Sequence, residues 1–508
     1  MEKFIINNFI FNKINILFVS TGITLTFFSM LAAVNYIRKK RKWYYLLNII
    51  YIISFSLLIF TKNWLVFITE WEIITVVTAL MLLWTGRRIA RQYFIIQFIG
   101  SSFLIYVILL AIENGYSHIE PIDETWLQNL FIIGMGTKSA IFGLHFWLPP
   151  VHATAPSPVS AILSGWVVKL GFIIMLKIIT GANNLLFILG ILMVFYGGIK
   201  ALMSTDYKGL LAYSTISHLG FIALGIGSGT IYGYLGAIFH IIAHGLAKTT
   251  LFNGSGYWIK EYESKSIYKF DSALNRQRLN TFTTIIAFLS LMGLPLLAGY
   301  NSKYLVKHGY EGNEIITVLL YAASLITVFY GLRFFRLGLF KDIWHNSKIN
   351  FSLNKFVLNK KENYSLNIGE KLSVLIPVIL IIFLGVYPDF LMLYLDKQVH
   401  NFHMIDGLIE IFLYIIIAVI LLNSLDWFKV KEKPLLSLDS YFKKSYNFIF
   451  SLSSRTVELD AKVFFENYLY NKIYNLSRSL YNKIYIDYQV QLFLISLFLL
   501  ILFFWLNF

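Results

Sequence analysis

The sequence contains no cysteine among its 508 residues. The chain therefore cannot form disulfide bonds, use a thiolate as a nucleophile, or hold an iron–sulfur cluster through cysteine ligands. Charged residues are also scarce, at 14% of the chain, whereas 57% is hydrophobic and the mean hydropathy is +0.66. This composition lies outside the range of soluble globular proteins. We expect the chain to bind no cofactor, so that any redox chemistry belongs to partner proteins.

Apolar runs long enough to cross roughly 30 Å of hydrocarbon recur along nearly the whole sequence. They predict an all-α polytopic membrane protein with about fourteen transmembrane helices. The first run ends in a basic stop-transfer flank at 38–42, so we expect it to stay in the mature protein rather than act as a signal peptide. The predicted spans are 14–37, 43–60, 63–84, 91–113, 126–155, 158–180, 184–203, 209–228, 231–252, 281–309, 313–335, 371–393, 406–425 and 490–507.

The net charge of +16 is concentrated in alternate loops between these spans. The positive-inside rule predicts that the basic loops face the cytoplasm and that both termini lie on the other side. No basic patch is interleaved with stacking aromatics, so we expect no nucleic-acid partner, and the lipid bilayer accounts for the charge. The basic loops are 38–42, 87–91, 208, 260–278, 333–371 and 429–483.

Proline interrupts two of the predicted spans, at Pro149-Pro150 and at Pro295. Such breaks survive in a membrane only where protein or water satisfies the freed backbone groups, and paired breaks point to repeats around a transport site. Segments 43–180 and 184–335 each hold five spans with the broken one fourth, which predicts two inverted five-helix repeats. The alternative is a pair of unrelated kinked helices in one large bundle.

The segments outside the repeats divide into three further parts. Residues 1–42 form an N-terminal transmembrane helix, and 336–425 form a connecting loop followed by two helices. Residues 426–508 form a basic segment, either an amphipathic helix on the cytoplasmic face or a basic loop, and a terminal transmembrane helix.

Five ionisable residues fall inside the apolar spans, where each costs several kcal/mol unless it is paired or hydrated. Glu72 needs a cation, and a Glu72–Lys138 pair whose separation changes could act as a proton switch. Lys138 is not the tail of a nucleotide-binding loop, because Ile132 and Thr137 replace the required glycines. Snorkelling to the interface is the alternative for Lys169, and an interfacial position is the alternative for Lys303. The five residues are Glu72, Lys138, Lys169, Lys248 and Lys303.

His240, His244 and Lys248 recur every four residues, so successive side chains rotate by only about 40° and form one polar stripe on an apolar helix. A stripe of titratable groups suits a proton relay. A zinc site is the alternative, although no further ligand lies nearby in sequence, and we expect no metal. His218 either extends the relay or satisfies a buried hydroxyl.

These residues lie in motifs that resemble a known family, over roughly residues 15–395. The sequence resembles the antiporter-like subunits of respiratory complex I and the large subunits of Mrp-type multisubunit cation/proton antiporters. The motifs are Phe67-x-x-Glu70-Trp71-Glu72, Lys138-Ser139-Ala140-x-x-x-Leu144-His145-Phe146-Trp147-Leu148-Pro149, Ala155-Pro156-Ser157-Pro158-Val159-Ser160-Ala161, Leu211-Ala212-Tyr213-Ser214-Thr215-Ile216-Ser217, His240-x-x-x-His244-x-x-x-Lys248-x-x-x-Phe252 and Gly293-Leu294-Pro295-x-x-Ala298-Gly299.

The resemblance implies a proton-translocating subunit of a multisubunit monovalent cation/proton antiporter in a bacterial inner membrane, with periplasmic termini and other membrane subunits as partners. The segment around Lys169 and the stretch 384–389 resemble the D-type Mrp subunit most. The alternatives are a proton-pumping subunit of an NADH–quinone oxidoreductase and a non-conducting scaffold. The resemblance implies the Glu72/Lys138 pair and matches Lys169, Lys248 and Lys303 to charges of the family. Together with the histidine stripe, this predicts a path that starts at the Glu72/Lys138 switch, continues through the relay of Lys169, His240, His244 and Lys248, with His218 as an extension, and ends at Lys303. The family's usual first two helices are missing.

Overall fold

The structure is a computed structural model that describes residues 9–37, 40–270, 276–340, 365–396 and 404–424. All of them belong to the first of two units of the chain, Met1–Lys431. The described residues form helices and four isolated β-bridges but no β-strand. Ten of these helices are long and apolar enough to cross a membrane, which confirms the all-α polytopic fold. The predicted segment 426–489 and the last predicted span, 490–507, lie outside the described residues.

The first predicted repeat contains five spans, of which the fourth and the fifth are interrupted. An N-terminal helix, α1 (Lys13–Tyr36), precedes it. Its helices are α2 (Arg41–Phe60), α3 (Trp64–Leu82), α4 (Arg87–Glu113), the broken pair α5 (Thr125–Gly136) and α6 (Leu148–Thr154), and the pair α7 (Ser157–Gly165) and α8 (Leu170–Ile178).

The second predicted repeat has the same order, again with its fourth span broken. Its third helix runs to Tyr262, well beyond the predicted end at 252. The helices are α9 (Asn184–Met203), α10 (Tyr207–Gly227), α11 (Ile231–Tyr262), the broken pair α12 (Arg278–Met292) and α13 (Ala298–His308), and α14 (Glu314–Phe334). Three helices follow: α15 (Ile368–Val386), α16 (Pro388–Tyr394) and α17 (Met404–Ser424).

The first break lies earlier than the prolines that predict it. Helix α5 ends at Gly136, and Pro149 and Pro150 lie in the first turn of α6 rather than in the gap. The first turn tolerates proline because its amide groups have no helical acceptor. The gap instead contains two residues with positive φ, Ala140 at 50° and Gly143 at 88°. The predicted position of this break was therefore wrong, although the broken helix itself is present.

The second break lies where the sequence predicts it. Helix α12 ends at Met292, and Gly293 caps it in the left-handed region with φ of 88°. Glycine adopts this conformation without steric cost, so it ends the helix cleanly. Leu296, also at positive φ, precedes the start of α13.

Asparagine, aspartate and threonine side chains mark where many of these helices begin. In seven described helices, the side chain before the first turn accepts a hydrogen bond from a free backbone N–H. Such caps satisfy donors that the helix itself cannot pair, and they fix the loop ends of the spans. The capping residues are Asn12, Asn63, Asn183, Asp206, Thr230, Asn313 and Asn367.

The loops form two groups according to which loops contact one another, and these are the two groups that the charge pattern predicts. The less basic loops pair with one another, at Phe9–Thr61, Asn63–His118 and Ile122–Ile179. The basic loops meet separately, through the Asp206–Ser266 bridge and through Lys208 Nζ, which donates to Ala155 O at 2.5 Å. Successive loops therefore alternate between two ends of the helix bundle.

The two repeats start at opposite ends of this bundle. Just before α2, the ring of Tyr36 lies 4.6 Å from Lys260 Nζ, among the basic loops. Just before α9, the backbone N–H of Asn183 donates to Gly227 O at 3.0 Å, among the less basic loops. This placement agrees with inverted repeats.

Helix α11 is packed among the other described helices and is buried along the whole of its membrane-crossing window. Small residues bring its neighbours close together. A Cβ added to Gly197 of α9 would lie 2.4 Å from the backbone nitrogen of Ser217 in α10. Tight glycine contacts of this kind are typical of helix pairs in membranes. They fix the position of α10, which carries part of the polar chain described below.

Candidate functional site

Lys138 lies in the gap between α5 and α6 and is fully buried. Its ammonium donates to Trp71 O at 2.8 Å and to Thr75 Oγ1 at 2.7 Å, and Nζ lies 4.4 Å from the centre of the Trp71 ring. The gap therefore provides the space for this side chain, and α3 provides its hydrogen-bond acceptors. Thr75 was not predicted from the sequence.

Glu72 lies on α3 next to the Lys138 site and is 6% exposed. One oxygen of its carboxylate, Oε1, is buried without a hydrogen-bond partner, and the carboxyl group also contacts Ser101. Glu72 interacts electrostatically with Lys138, whose ammonium donates to α3 instead of forming an ion-pair contact with the carboxylate. The structure thus brings the two predicted partners together in an open arrangement.

Lys169 lies at the end of a short 3₁₀ turn, Val167–Lys169, between α7 and α8. This interruption was not predicted, because the sequence around it reads as one continuous helix. The fully buried Nζ of Lys169 donates to Ser164 O at 2.6 Å. The side chain passes α11, where a Cβ added to Gly245 would lie 3.9 Å from Lys169 Cε.

Lys248 of α11 is fully buried and interacts electrostatically with Lys169. Its Nζ donates to Leu211 O at 3.0 Å and to Ser214 Oγ at 2.5 Å. These acceptors lie on α10, so Lys248 connects the predicted relay helix to α10. The two predicted relay lysines are therefore neighbours across the junction of the repeats.

A chain of interacting polar side chains from four helices leads away from Lys248. The Ser214 hydroxyl donates to Leu211 O at 3.1 Å and also interacts with the hydroxyl of Tyr330 on α14. The Tyr330 hydroxyl lies 2.9 Å from His218 Nε2. His218 Nδ1 lies 3.1 Å from His240 Nε2, and His240 Nδ1 lies 2.8 Å from Ser302 Oγ. We call this set of six residues the polar chain: Lys248, Ser214, Tyr330, His218, His240 and Ser302. All six are buried.

The hydrogen positions in the polar chain follow from its last member. Ser302 donates its own hydroxyl proton to Gly299 O at 3.0 Å, so His240 Nδ1 must be the donor to Ser302. Neutral His240 then accepts at Nε2 from His218 Nδ1, and His218 accepts at Nε2 from Tyr330. Every donor from Tyr330 to Ser302 therefore points in the same direction.

His244 and Lys303 lie beside the polar chain without hydrogen bonds of their own. Both ring nitrogens of His244 are buried and unpartnered, and its ring stacks on those of His218 and His240 at centroid distances of 5.1 and 6.0 Å. Lys303 Nζ is buried and unpartnered, 4.9 Å from the centre of the Phe221 ring. Lys303 follows Ser302 on α13, so it stands at the end of the polar chain.

The predicted site residues thus form two groups. Glu72 and Lys138 form one, and the relay residues with Lys303 form the other; no hydrogen bond between described side chains joins Lys138 directly to Lys169. In the part of the chain that the structure describes, no three histidine, aspartate or glutamate side chains are grouped to hold a metal ion. His218 lies within the polar chain, between Tyr330 and His240.

Sequence reasoning missed three members of the polar chain. Ser214 lies inside a quoted motif, and Ser302 precedes a selected lysine, so both were within reach of the sequence signal. Tyr330 gave no such signal, because it is one of 32 tyrosines and meets His218 from a position 112 residues away.

Comparison with known proteins assigns this arrangement to a family. The family model described as "NADH:quinone oxidoreductase/Mrp antiporter, TM" matches residues 61–330, which contain both broken helices and every site residue named above. NADH-quinone oxidoreductase subunit M of Rickettsia bellii is 28% identical over 417 residues, covering 76% of this chain and 81% of the relative. The relative's name is that of a quinone oxidoreductase subunit rather than of a D-type antiporter subunit.

Solved structures share the fold at lower identity. A chain of respiratory complex I from Thermus thermophilus with bound aureothin is 23% identical, covers 76% of this chain and 88% of its own, and gives a TM-score of 0.62. A chain of the Mrp complex from Dietzia sp. is 16% identical, covers 76% and 83%, and gives a TM-score of 0.66. Because the family model covers more than half of the sequence, this chain belongs to the NADH:quinone oxidoreductase/Mrp antiporter transmembrane family.

Proposed function

We propose that this chain is a proton-translocating membrane subunit of an NADH–quinone oxidoreductase assembly. The observation that carries the proposal is the buried polar chain, which links Lys248 to Ser302 beside Lys303 through side chains that can all accept and donate a proton. Burying such groups in a membrane costs free energy, and a role in proton transfer explains why the protein contains them. The name of the Rickettsia relative supports the quinone oxidoreductase assignment over the antiporter assignment.

Protons move along the polar chain by successive transfers between hydrogen-bonded neighbours. The ammonium of Lys248 gives a proton to Ser214, whose hydroxyl turns from Leu211 O towards Tyr330 and gives its own proton to the Tyr330 oxygen. Tyr330 gives its proton to His218 Nε2, and His218 gives the Nδ1 proton to His240 Nε2. His240 then passes its Nδ1 proton to Ser302, whose hydroxyl turns from Gly299 O and gives its own proton to the neutral amine of Lys303, the next residue on α13. Rotation of the hydroxyls and tautomer exchange of the imidazoles reset the chain for the next proton.

The Glu72/Lys138 pair controls the supply of protons to this relay. While Lys138 donates to Trp71 and Thr75, its charge is held on α3 and the Glu72 carboxylate is unpaired. Movement of Nζ to the carboxylate neutralises Glu72 and changes the field on the lysines of the next helices. We place Lys169 between this switch and Lys248, with His244 stacked on the relay histidines.

The energy for transport comes from partner subunits, because this chain carries no cysteine ligands for an iron–sulfur cluster. The chain lies in the bacterial inner membrane with its basic loops in the cytoplasm, according to the positive-inside rule. Other membrane subunits contact its lipid-facing helices. The large apolar side chains exposed on α2 and α14, including Trp43, Ile53, Ile315 and Val318, leave surface for such contacts.

A subunit of a cation/proton antiporter is the second candidate, because the Mrp chain has the same fold with a TM-score of 0.66. A non-conducting scaffold is a weaker third candidate. An inert scaffold would gain nothing from five buried ionisable side chains. Both alternatives keep the membrane partners but remove NADH as the source of energy.

Purification of the tagged full-length chain with its partners distinguishes the candidates. The proposal predicts that flavin and iron–sulfur proteins copurify and that NADH oxidation acidifies the lumen of inverted membrane vesicles. Sodium-dependent proton exchange without flavin would support the antiporter instead. An intact complex that moves no proton in either assay would contradict proton translocation by this chain.

A further inference from the structure

Two cavities lie side by side where α13, α14 and α17 meet. The inner cavity, of about 10 Å³, is lined by Lys303 and Ser324. The outer cavity, which we call the vestibule, is about 620 Å³ in volume and is lined by the C-terminal end of α13 and the N-terminal ends of α14 and α17. The residues that line both cavities, and so form the wall between them, are Tyr300, Tyr304, Lys307 and Glu410.

The inner cavity has room for about one water molecule. Two buried polar atoms on its wall, Lys303 Nζ and Ser324 Oγ, have no hydrogen-bond partner in the protein. A single water between them would satisfy both and would put Lys303 in hydrogen-bonded contact with the cavity wall. The cavity therefore continues the polar chain beyond its last protein member.

An ion pair closes the wall between the cavities. Lys307 Nζ contacts Glu410 Oε1, and their side chains are 13% and 24% exposed. The Tyr414 hydroxyl donates to the same carboxylate oxygen at 2.6 Å, and Lys307 Nζ lies 4.3 Å from the centre of the Tyr321 ring. Glu410 thus has two donors, Lys307 is held against an aromatic face, and no part of this arrangement is used by the path described above.

We propose that the Lys307–Glu410 pair is the outer gate of the path and that Glu410 carries protons from Lys303 into the vestibule; this rests on the proposed function. The ammonium of Lys303 gives a proton to the cavity water, which gives one of its protons to the Glu410 carboxylate. The neutral carboxyl group releases Lys307 and opens the wall. The carboxyl proton then passes to water in the vestibule, and the restored carboxylate pairs with Lys307 again.

The location of the vestibule agrees with this role. Two of the residues that line it, His308 and Glu314, are helix ends that border the loop at 309–313. This loop belongs by sequence order to the less basic end of the bundle, opposite the basic loops. A proton released there has crossed from the basic end to the other end.

Cysteine accessibility tests the gate without any transport measurement, because the natural chain contains no cysteine. Ser324→Cys places a thiol in the inner cavity only, and Thr317→Cys places one in the vestibule only. With a membrane-impermeant thiol reagent on the vestibule side of the intact complex, we expect Thr317→Cys to react fast and Ser324→Cys slowly. Adding Glu410→Gln should accelerate the Ser324→Cys reaction by about tenfold, the effect of losing about 1.4 kcal/mol of gate closure. Equal rates with and without Glu410→Gln would overturn the gate.

Transport tests the carrier role of Glu410. Glu410→Gln should reduce proton translocation by about tenfold or more, and Glu410→Asp should restore part of it, because only an ionisable group can pass the proton on. Glu314→Gln removes a carboxylate from the vestibule rim without touching the inner cavity and should translocate normally. Normal translocation by Glu410→Gln would refute the carrier role. A different result would refute the proposed function instead: a wild-type complex that translocates no protons, although Glu410→Gln still accelerates the Ser324→Cys reaction.

Discussion

Replacement of Tyr330 by phenylalanine tests the polar chain at one atom. Tyr330 is fully buried, so the ring keeps its packing while the hydroxyl is lost. The hydroxyl lies 2.9 Å from His218 Nε2 and interacts with Ser214, which makes it the bridge between the lysine half and the histidine half of the chain. Among the described residues, no other side chain of the polar chain connects these two halves.

The expected effect follows from the buried atoms that lose a partner. An unpaired buried polar atom costs about 1–3 kcal/mol, here at His218 Nε2. If this cost is added to the free-energy barrier for proton transfer, the transfer step becomes roughly 5- to 150-fold slower. We therefore expect Tyr330→Phe to reduce proton translocation by at least about fivefold. The fold should be retained, since only one hydroxyl is removed.

The assay is NADH-driven acidification of inverted membrane vesicles, expressed per unit of assembled complex. Assembly is measured separately, as the amount of flavin and iron–sulfur protein that copurifies with the tagged chain. Tyr257→Phe is the matched control, because Tyr257 is equally buried and its hydroxyl lies 2.9 Å from Ser373 Oγ, away from the chain. If Tyr330→Phe translocated protons as fast as Tyr257→Phe, the polar chain would not be the route.

Two further predictions concern the histidines of the polar chain and the close contact between α9 and α10. His240→Phe breaks two hydrogen bonds of the polar chain and should impair translocation more than His244→Phe, which breaks none; equal rates in the vesicle assay would contradict this order. Gly197→Ala should lower the thermal stability of the complex by roughly 1–3 kcal/mol, because the new Cβ would lie 2.4 Å from backbone, whereas Gly369→Ala meets only an ordinary 3.4 Å contact. Indistinguishable melting temperatures would show that α9 can shift.

Much of the fold and part of the site could be predicted from local sequence pattern. The thirteen spans predicted within the described residues all correspond to helices or broken helices, because apolar length is a strong signal in membranes. The stripe of His240, His244 and Lys248 follows from helical spacing alone, and the structure places all three on α11. The proline at 295 also located the second break correctly.

The remaining features depend on contacts between distant parts of the chain. The first break was predicted at Pro149 and Pro150, which was wrong because proline is also favoured in the first turn of a helix. The left-handed Ala140, which lies in the actual break, gave no sequence signal. Tyr330 and Glu410 join the site only through the packing of α14 and α17 against α10 and α13. Local periodicity contains no information about such pairings.

The most direct test of the central claim is proton translocation by the Lys138→Ala variant in the intact complex. Lys138 is fully buried in the first break, and no other lysine takes its hydrogen bonds to Trp71 and Thr75. Lys177→Ala is the control, since Lys177 in the same repeat donates to Ile59 O at the loop end of the bundle. We predict that Lys138→Ala abolishes NADH-driven acidification while the protein stays in the membrane and Lys177→Ala retains it. Normal acidification by Lys138→Ala would contradict the account.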